Sequence, residues 1–368
     1  MRIALVAPLY EAVPPKLYGG TERVVAYLTD ALVDLGHDVT LFASAEARTK
    51  ATLVPCRDRA MRLDPTLNSD LAAHILMLEE VRRRADAFDI IHFHIDLLQM
   101  PLFRDLSART VTTLHGRLDI KDLPPFYARY PEFPVVSISE DQRRTLRGAR
   151  WVGTVHHGLP EQLYRPTLAP AGDYLAFLGR IAPEKRPDRA IEIAKRTGMK
   201  LKLAAKVDAA DRTYFEQQIE PLLDHPLIEY IGEIGDSEKG AFLGNARAVL
   251  FPIDWPEPFG LVMIEATACG TPVIAFRRGS VAEVIEDGRT GFLVDDVASA
   301  VDAVYRLDQL DRAAIRARFE ERFTAQRMAR DYVAIYGSLL LGASETIAAR
   351  RPTWPLVEAG AADTATAA

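Results

Sequence analysis

Two carboxylates, Glu257 and Glu265 in "DWPEPFGLVMIEATACGTPVIAF", stand with seven residues between them and enclose Pro258, Phe259 and Gly260 at the mouth of an apolar run. The preceding "AVLFPI" reads as a strand ending at Ile253, and Gly270 stops the following helix before "TPVIAF". The stretch is therefore a strand, a turn, a helix opened by Gly260 or Leu261, and a second strand. A helix N-terminus offers unpaired N–H groups and a partial positive charge, which suit phosphate oxygens. Gly260 lets a ligand approach the backbone closely. Glu257 precedes the helix and is expected to face a cleft. Glu265 lies on an otherwise apolar helix, where a carboxylate needs a partner, and a ribose diol would serve. A plainer reading makes Glu257 a helix-dipole acid and Glu265 solvent-facing. On this unit alone both readings stand.

A second group of residues follows another strand. "FLGRIAPEKRPD" sets Gly179, Arg180 and Lys185 in one loop. Arg supplies a fork and Lys a point charge, and both can reach a diphosphate. Alone, such a loop is equally a solvated surface. His115 in "TTLHG" ends a β-rich run ahead of a glycine, which puts it at a cleft edge or in a structural cap. "IIHFHID" supplies His92 and His94, which are expected to point to opposite faces or to bracket a strand end. No cysteine or carboxylate cluster accompanies them, so they read as packing or acceptor-side polar groups rather than metal ligands. "VHHG", His156 to Gly158, reads as structural.

These residues need elements to hold them. "RIALVAP", "DVTLFAS", "DIIHFH", "TVTTLHG", "VVSIS" and "WVGTVHH" read as strands. Between the first two, apolar residues at Val24, Leu28, Ala31, Leu32 and Leu35 are spaced for a helix that Gly36 closes. After a break at "RPTLAPAGD" the rhythm restarts with "YLAFLGRI", "KLKLAAKV", "IEYIGEI", "AVLFPI", "PVIAF" and "FLV". This alternation predicts an α/β chain of two Rossmann-like, doubly wound domains facing each other across a cleft. The expected boundaries are 1–168 for the acceptor side and 169–325 for the donor side. The stretch from Ala313 to Leu341 reads as helical and charged; a C-terminal helix at 326–345 is expected to pack back on the first domain, and 346–368 to be a disordered tail. Length supports two domains, since 368 residues exceed what one core usually serves.

Composition narrows the function. A formal net charge of −6 disfavours a nucleic-acid partner. Two cysteines, Cys56 and Cys269, are too few for a disulfide framework and point to the cytoplasm. The N-terminal apolar run is short and continues into a strand, so it reads as neither signal peptide nor anchor. No window approaches the ~20 apolar residues of a spanning helix.

Taken together, "GRIAPEKRPD", "EPFGLVMIEATACGTPVIA" and "GSVAEVIEDGRTGFLV" resemble glycosyltransferase family 4, and "YGGTERVVAYLTDALVDLGHDVTLFA" is similar to that family's N-terminal glycine loop and first helix. The likeness runs from about residue 2 to about residue 330, and the paired-glutamate segment is its most specific part. The resemblance implies a GT-B fold and retaining transfer of a hexose from a UDP-, GDP- or ADP-hexose to a sugar, lipid or small-molecule acceptor. It also implies roles. Arg180 and Lys185 would hold the diphosphate and stabilise the leaving group. Glu257 would face the donor sugar, with the Phe259, Gly260 and Leu261 backbone against sugar and phosphate. Glu265 would bind the ribose, Gly19 and Gly20 would close over the donor, and His115 would sit beside the transferred sugar. No metal or other cofactor is expected, because cations and a helix N-terminus meet the diphosphate and no Asp-x-Asp follows a strand at the cleft. The expected location is cytoplasmic, or peripheral at a membrane. Two departures concern the donor preference: Arg186 stands where a glycine is usual after the lysine, and Gly279 is followed by Ser280 rather than a second glycine.

A nicotinamide-dependent dehydrogenase would need G-x-G-x-x-G after the first strand, and "APLYEAVPPKLYGG" lacks it. A sugar-nucleotide epimerase on the same fold and an inactive nucleotide-binding accessory subunit are the remaining rivals.

Overall fold

A computed structural model describes residues 1–16, 19–62, 64–67 and 69–349, the side chains only as far as residue 342. The tail expected at 346–368 lies outside the described residues from residue 350 onward. The first sheet contains β1 (Arg2–Val6), β2 (Asp38–Ser44), β3 (Thr52–Arg57), β4 (Ile90–Phe93), β5 (Thr110–Thr113), β6 (Pro134–Ser137) and β7 (Arg150–Thr154), all parallel, in the order β3-β2-β1-β4-β5-β6-β7. The second contains β8 (Tyr174–Arg180), β9 (Lys200–Lys206), β10 (Ile228–Gly232), β11 (Ala248–Phe251), β12 (Val273–Phe276) and β13 (Gly291–Val294), also parallel, in the order β10-β9-β8-β11-β12-β13. The molecule is α/β with two doubly wound sheets.

Both sheets are covered on both faces, which is why their strands are apolar runs rather than alternating ones. Ile3 and Leu5 face a layer built by Val24, Val25, Leu28 and Leu32 of the helix Gly20–Asp34, while Ala4 and Val6 face Phe42, Phe93 and Phe103. Fully burying a Leu or Phe contributes about 1.5–3 kcal/mol, so these layers dominate each domain's stability. In the second domain the helices Pro187–Thr197 and Val297–Val304 cover one face, and the helix Leu261–Ala268 and Phe319 cover the other.

β3 was not expected from the sequence. It is an edge strand with Pro55 in its middle, and an edge tolerates proline because one side of the strand needs no ladder donors. The charged segment after Ala313 is two helices rather than one. Arg312–Arg322 packs on the second domain through Phe319, whereas Ala325–Ala349 sends Met328, Ala329, Tyr332 and Tyr336 into the first-domain core. The break falls at Thr324, where the chain pairs with Leu159 as it passes between the domains. Gly158 is required at this crossing, since a Cβ there would lie 2.3 Å from the Thr324 carbonyl oxygen. Residues 165–173 lie against the second domain: the Thr167 N–H donates to the Cys269 carbonyl, and Arg312 Nε donates to the Thr167 carbonyl. No helix of the described residues is long and apolar enough to cross a membrane.

In each sheet the strand order reverses between two central neighbours, β1/β4 and β8/β11. Connections leave such a point in opposite directions, and a crevice opens beyond the carboxyl ends of the strands. Loops after these four strands meet in a cavity of about 720 Å³.

Candidate active site

The cavity is lined from the first domain by Tyr10, Gly19, Gly20, Glu22, Asp96 and His115, and from the second by Arg180, Lys185, Glu257, Gly260 and Glu265. Every site residue singled out in the sequence lines it: Phe259 and Leu261 do so as well.

The turn before the helix Leu261–Ala268 is tightly built. Gly260 adopts a left-handed φ of 84°, and a Cβ there would meet Met263 Cε at 2.8 Å and Phe251 Cζ at 3.1 Å. The Gly279–Ser280 segment buttresses it. A Cβ on Gly279 would lie 2.4 Å from the Glu257 nitrogen, and Ser280 Oγ donates to the Phe259 carbonyl at 3.0 Å. The serine that departs from the paired-glycine pattern thus braces the turn. Three residues on, Glu283 accepts the Glu140 and Asp141 backbone N–H groups at 2.7 and 2.8 Å and meets His156 Nε2 at 3.1 Å. It ties the second domain to the first.

Glu257 is paired with Lys185. Its Oε2 binds Lys185 Nζ and also accepts the Trp255 indole N–H at 2.9 Å. Lys185 lies 4.9 Å from the centre of the Trp255 ring, a cation–π position. Arg180 Nη1 donates to Asp211 at 2.9 Å while Nη2 binds Glu184. Arg186 takes the left-handed conformation that glycine would favour, φ 52°, and is held there by Asp188 at 2.6 Å and Asp254 at 3.0 Å. The backbone shape survives the missing glycine because two carboxylates anchor the side chain.

Glu265 is 3% exposed, which excludes a solvent-facing glutamate. Lys239 Nζ at 3.1 Å and the Tyr164 hydroxyl at 3.4 Å both donate to its Oε1. Neither partner was evident in the sequence. Lys239 sits in the unremarkable "DSEKG", and Tyr164 lies 101 positions away.

The histidines form a string. β4 ends at Phe93 and β5 at Thr113, so His94 and His115 project from the loops just beyond, and His94 Nδ1 meets His115 Nε2 at 2.9 Å. Of the two expectations for His92 and His94, the structure follows the strand end, since β4 stops at Phe93 between them, and not opposite faces, since their ring centres lie 4.1 Å apart on one side. Residues two apart on a strand point the same way. His92 is satisfied deeper in, by Tyr336 Oη and Thr113 Oγ1, each at 2.7 Å. His157 stacks on His115 at 5.3 Å and meets the Phe259 edge at 4.8 Å. Burial pushes the His115 pKa down to about 3 and holds His92, His94 and His157 well below the ordinary imidazole value, so the string is uncharged. Asp96, also missed, lines the same wall with φ 57° and is exposed to the cleft. Among the described residues no group of three or more His, Cys, Asp or Glu side chains is placed to hold a metal ion.

Both halves of this arrangement match known families. Residues 165–322 match the model for glycosyl transferases group 1, and residues 18–137 match the model for glycosyltransferase family 4. The two models together span most of the chain and mark it as a glycosyltransferase of the family 4 type. It is similar to a glycogen synthase of Mycobacterium tuberculosis, 26% identical over 90% of this chain and 89% of that protein. Among solved structures it is similar to AviGT4, a glycosyltransferase involved in avilamycin A biosynthesis, with a TM-score of 0.70 and 24% identity over 93% of this chain and 98% of that one. It also resembles Anabaena Alr3699/HepE in complex with UDP and glucose, with a TM-score of 0.70 and 17% identity over 92% of this chain and all of that one. The fold is therefore GT-B.

Proposed function

We propose that this glycosyltransferase moves a hexose from a nucleoside diphosphate sugar to an acceptor hydroxyl, with retention at the anomeric carbon and without a metal ion. The observation that carries the reading is the Lys185–Glu257 pair beside the N-terminus of the helix Leu261–Ala268, on the cleft wall. A diphosphate at this place meets the helix's unpaired N–H groups, Lys185 and Arg180. Lys185 then exchanges its carboxylate partner for phosphate oxygen, and Glu257 becomes available to accept hydrogen bonds from the sugar hydroxyls. Glu265 takes the ribose diol, and Gly19 and Gly20 close over the donor from the first domain.

As the bond from the anomeric carbon to the diphosphate oxygen breaks, negative charge grows on the leaving group, where Lys185, Arg180 and the helix end stabilise it. The acceptor oxygen bonds to the same face of the carbon, and its proton passes to the departing diphosphate oxygen. His115, uncharged, lies beside the sugar as a hydrogen-bonding group. The acceptor binds the first-domain loops around Tyr10, Asp96 and Arg117. Two unpaired cysteines suit a cytoplasmic setting.

The HepE structure with UDP and glucose supports a nucleotide-sugar donor. A thermal-shift screen of UDP-, GDP- and ADP-hexoses, followed by NMR of the product's anomeric configuration, tests the reading. No stabilisation by any donor, or an inverted product, refutes it.

A further inference from the structure

Four side chains of alternating charge run along the cleft from one domain into the other. Arg23, on the helix Gly20–Asp34, pairs with Asp236 of the helix Asp236–Gly244. Lys239, one turn on, lies 3.4 Å from Asp236 and 3.1 Å from Glu265. Three of the four side chains are withdrawn from water, those of Arg23, Glu265 and Lys239 being 5%, 4% and 15% exposed, while that of Asp236 is 37% exposed. The far end of the row is the carboxylate assigned to the donor's ribose.

Lys239 therefore stands between two carboxylates that compete for it. Both described hydrogen bonds to Glu265 land on Oε1, from Lys239 and Tyr164, which turns Oε2 towards other donors. That orientation lasts only while Lys239 favours Glu265 over Asp236. Arg23 decides the contest, because its charge neutralises Asp236. With Arg23 removed, the half-buried Asp236 carboxylate would lose its guanidinium, and Lys239, 3.4 Å away, would be drawn to it.

We propose that Arg23 is a positioning residue for donor recognition, contributed by the opposite domain and acting on Glu265 through Asp236 and Lys239. The proposal rests on Glu265 as the ribose ligand. It also makes nucleotide affinity depend on the first domain being in place, since the row is continuous only when the two domains meet.

The test is calorimetric binding of UDP, GDP and ADP, with inorganic pyrophosphate as a probe that has no ribose. Arg23→Ala should weaken the preferred nucleotide about tenfold, the loss of roughly one charge-assisted hydrogen bond, and leave pyrophosphate unchanged. It should raise KM for the donor more than it lowers kcat. Arg23→Lys should restore most of the affinity. Asp236→Asn removes the competitor, so adding it to Arg23→Ala should recover nucleotide binding. A double variant as weak as Arg23→Ala alone, or an equal loss for pyrophosphate, overturns the relay. Should Glu265→Ala bind nucleotide normally, the ribose assignment fails and the relay with it. If Glu265→Ala is weak and Arg23→Ala is not, only the relay fails.

Discussion

The two walls of the cleft are built on opposite electrostatic plans. On the second-domain wall Lys185 with Glu257, Arg180 with Asp211 and Lys239 with Glu265 are ion pairs. On the first-domain wall the central groups, His94, His115 and His157, are kept neutral by burial. Paired charges can exchange partners at little cost when a charged ligand arrives. Neutral, buried imidazoles keep one protonation state whatever the ligand does. A charged leaving group and an uncharged transferred sugar call for these two environments.

The comparison breaks most readily on the charged wall. Lys185→Ala should lower kcat by ~10²–10³, the usual loss of one preorganised donor to transition-state charge. Binding of the nucleoside diphosphate should fall much less, and unchanged turnover with a raised KM would remove Lys185 from the leaving-group site. Glu257→Gln sharpens the same point: single-turnover transfer should drop steeply while calorimetric binding of the nucleoside diphosphate stays near normal.

A smaller loss is expected at the other end of that wall. Glu265→Ala should weaken donor and free nucleotide alike, by about 1.5–3 kcal/mol for a charged hydrogen bond. If Glu257→Gln loses nucleotide affinity while Glu265→Ala keeps it, the two roles are exchanged.

The neutral wall predicts a pH effect on stability. In the unfolded chain imidazoles take up protons below about 6.5. In the folded chain His92, His94, His115 and His157 resist protonation, since burial lowers all four pKa values. Their contribution is therefore present in full above the unfolded pKa and lost as pH falls beneath it. The slope approaches about 1.4 kcal/mol per pH unit for each histidine. Denaturant melts between pH 7.5 and 5 would measure it, and His94→Gln should reduce the slope by one proton. A slope unchanged in that variant would mean that His94 is charged in the folded protein. The smallest expected effect is none: EDTA should leave turnover unaltered, and activity restored only by magnesium or manganese would contradict the metal-free reading.

Much of this was legible because it is local. Strand β8 ending in Arg180 with Lys185 in the turn beyond it, and Gly260 opening a helix, are short-range patterns of apolar runs, glycine and charge. β3 escaped notice because Pro55 weakens the pattern and only its edge position excuses it. For His92 and His94 the sequence offered a strand end or opposite faces, and the period of a strand was enough to reject the second. Lys239 was illegible for another reason. A lysine on a short polar helix looks like any solvated one until its neighbour is known.

The sequence by itself determined the two parallel α/β sheets, the glycine-opened helix and the stock of charges after the strands, since hydrophobic periodicity and turn chemistry act between near neighbours. Only the tertiary structure decided which charge meets which. Lys185 and Glu257 are 72 positions apart, Arg23 and Asp236 are 213, and His92 and Tyr336 are 244. Those pairings follow from the reversal of strand order in each sheet and from the crossing at Leu159 and Thr324. Both depend on how whole layers bury their apolar faces against one another, a sum over distant residues that no local stretch encodes.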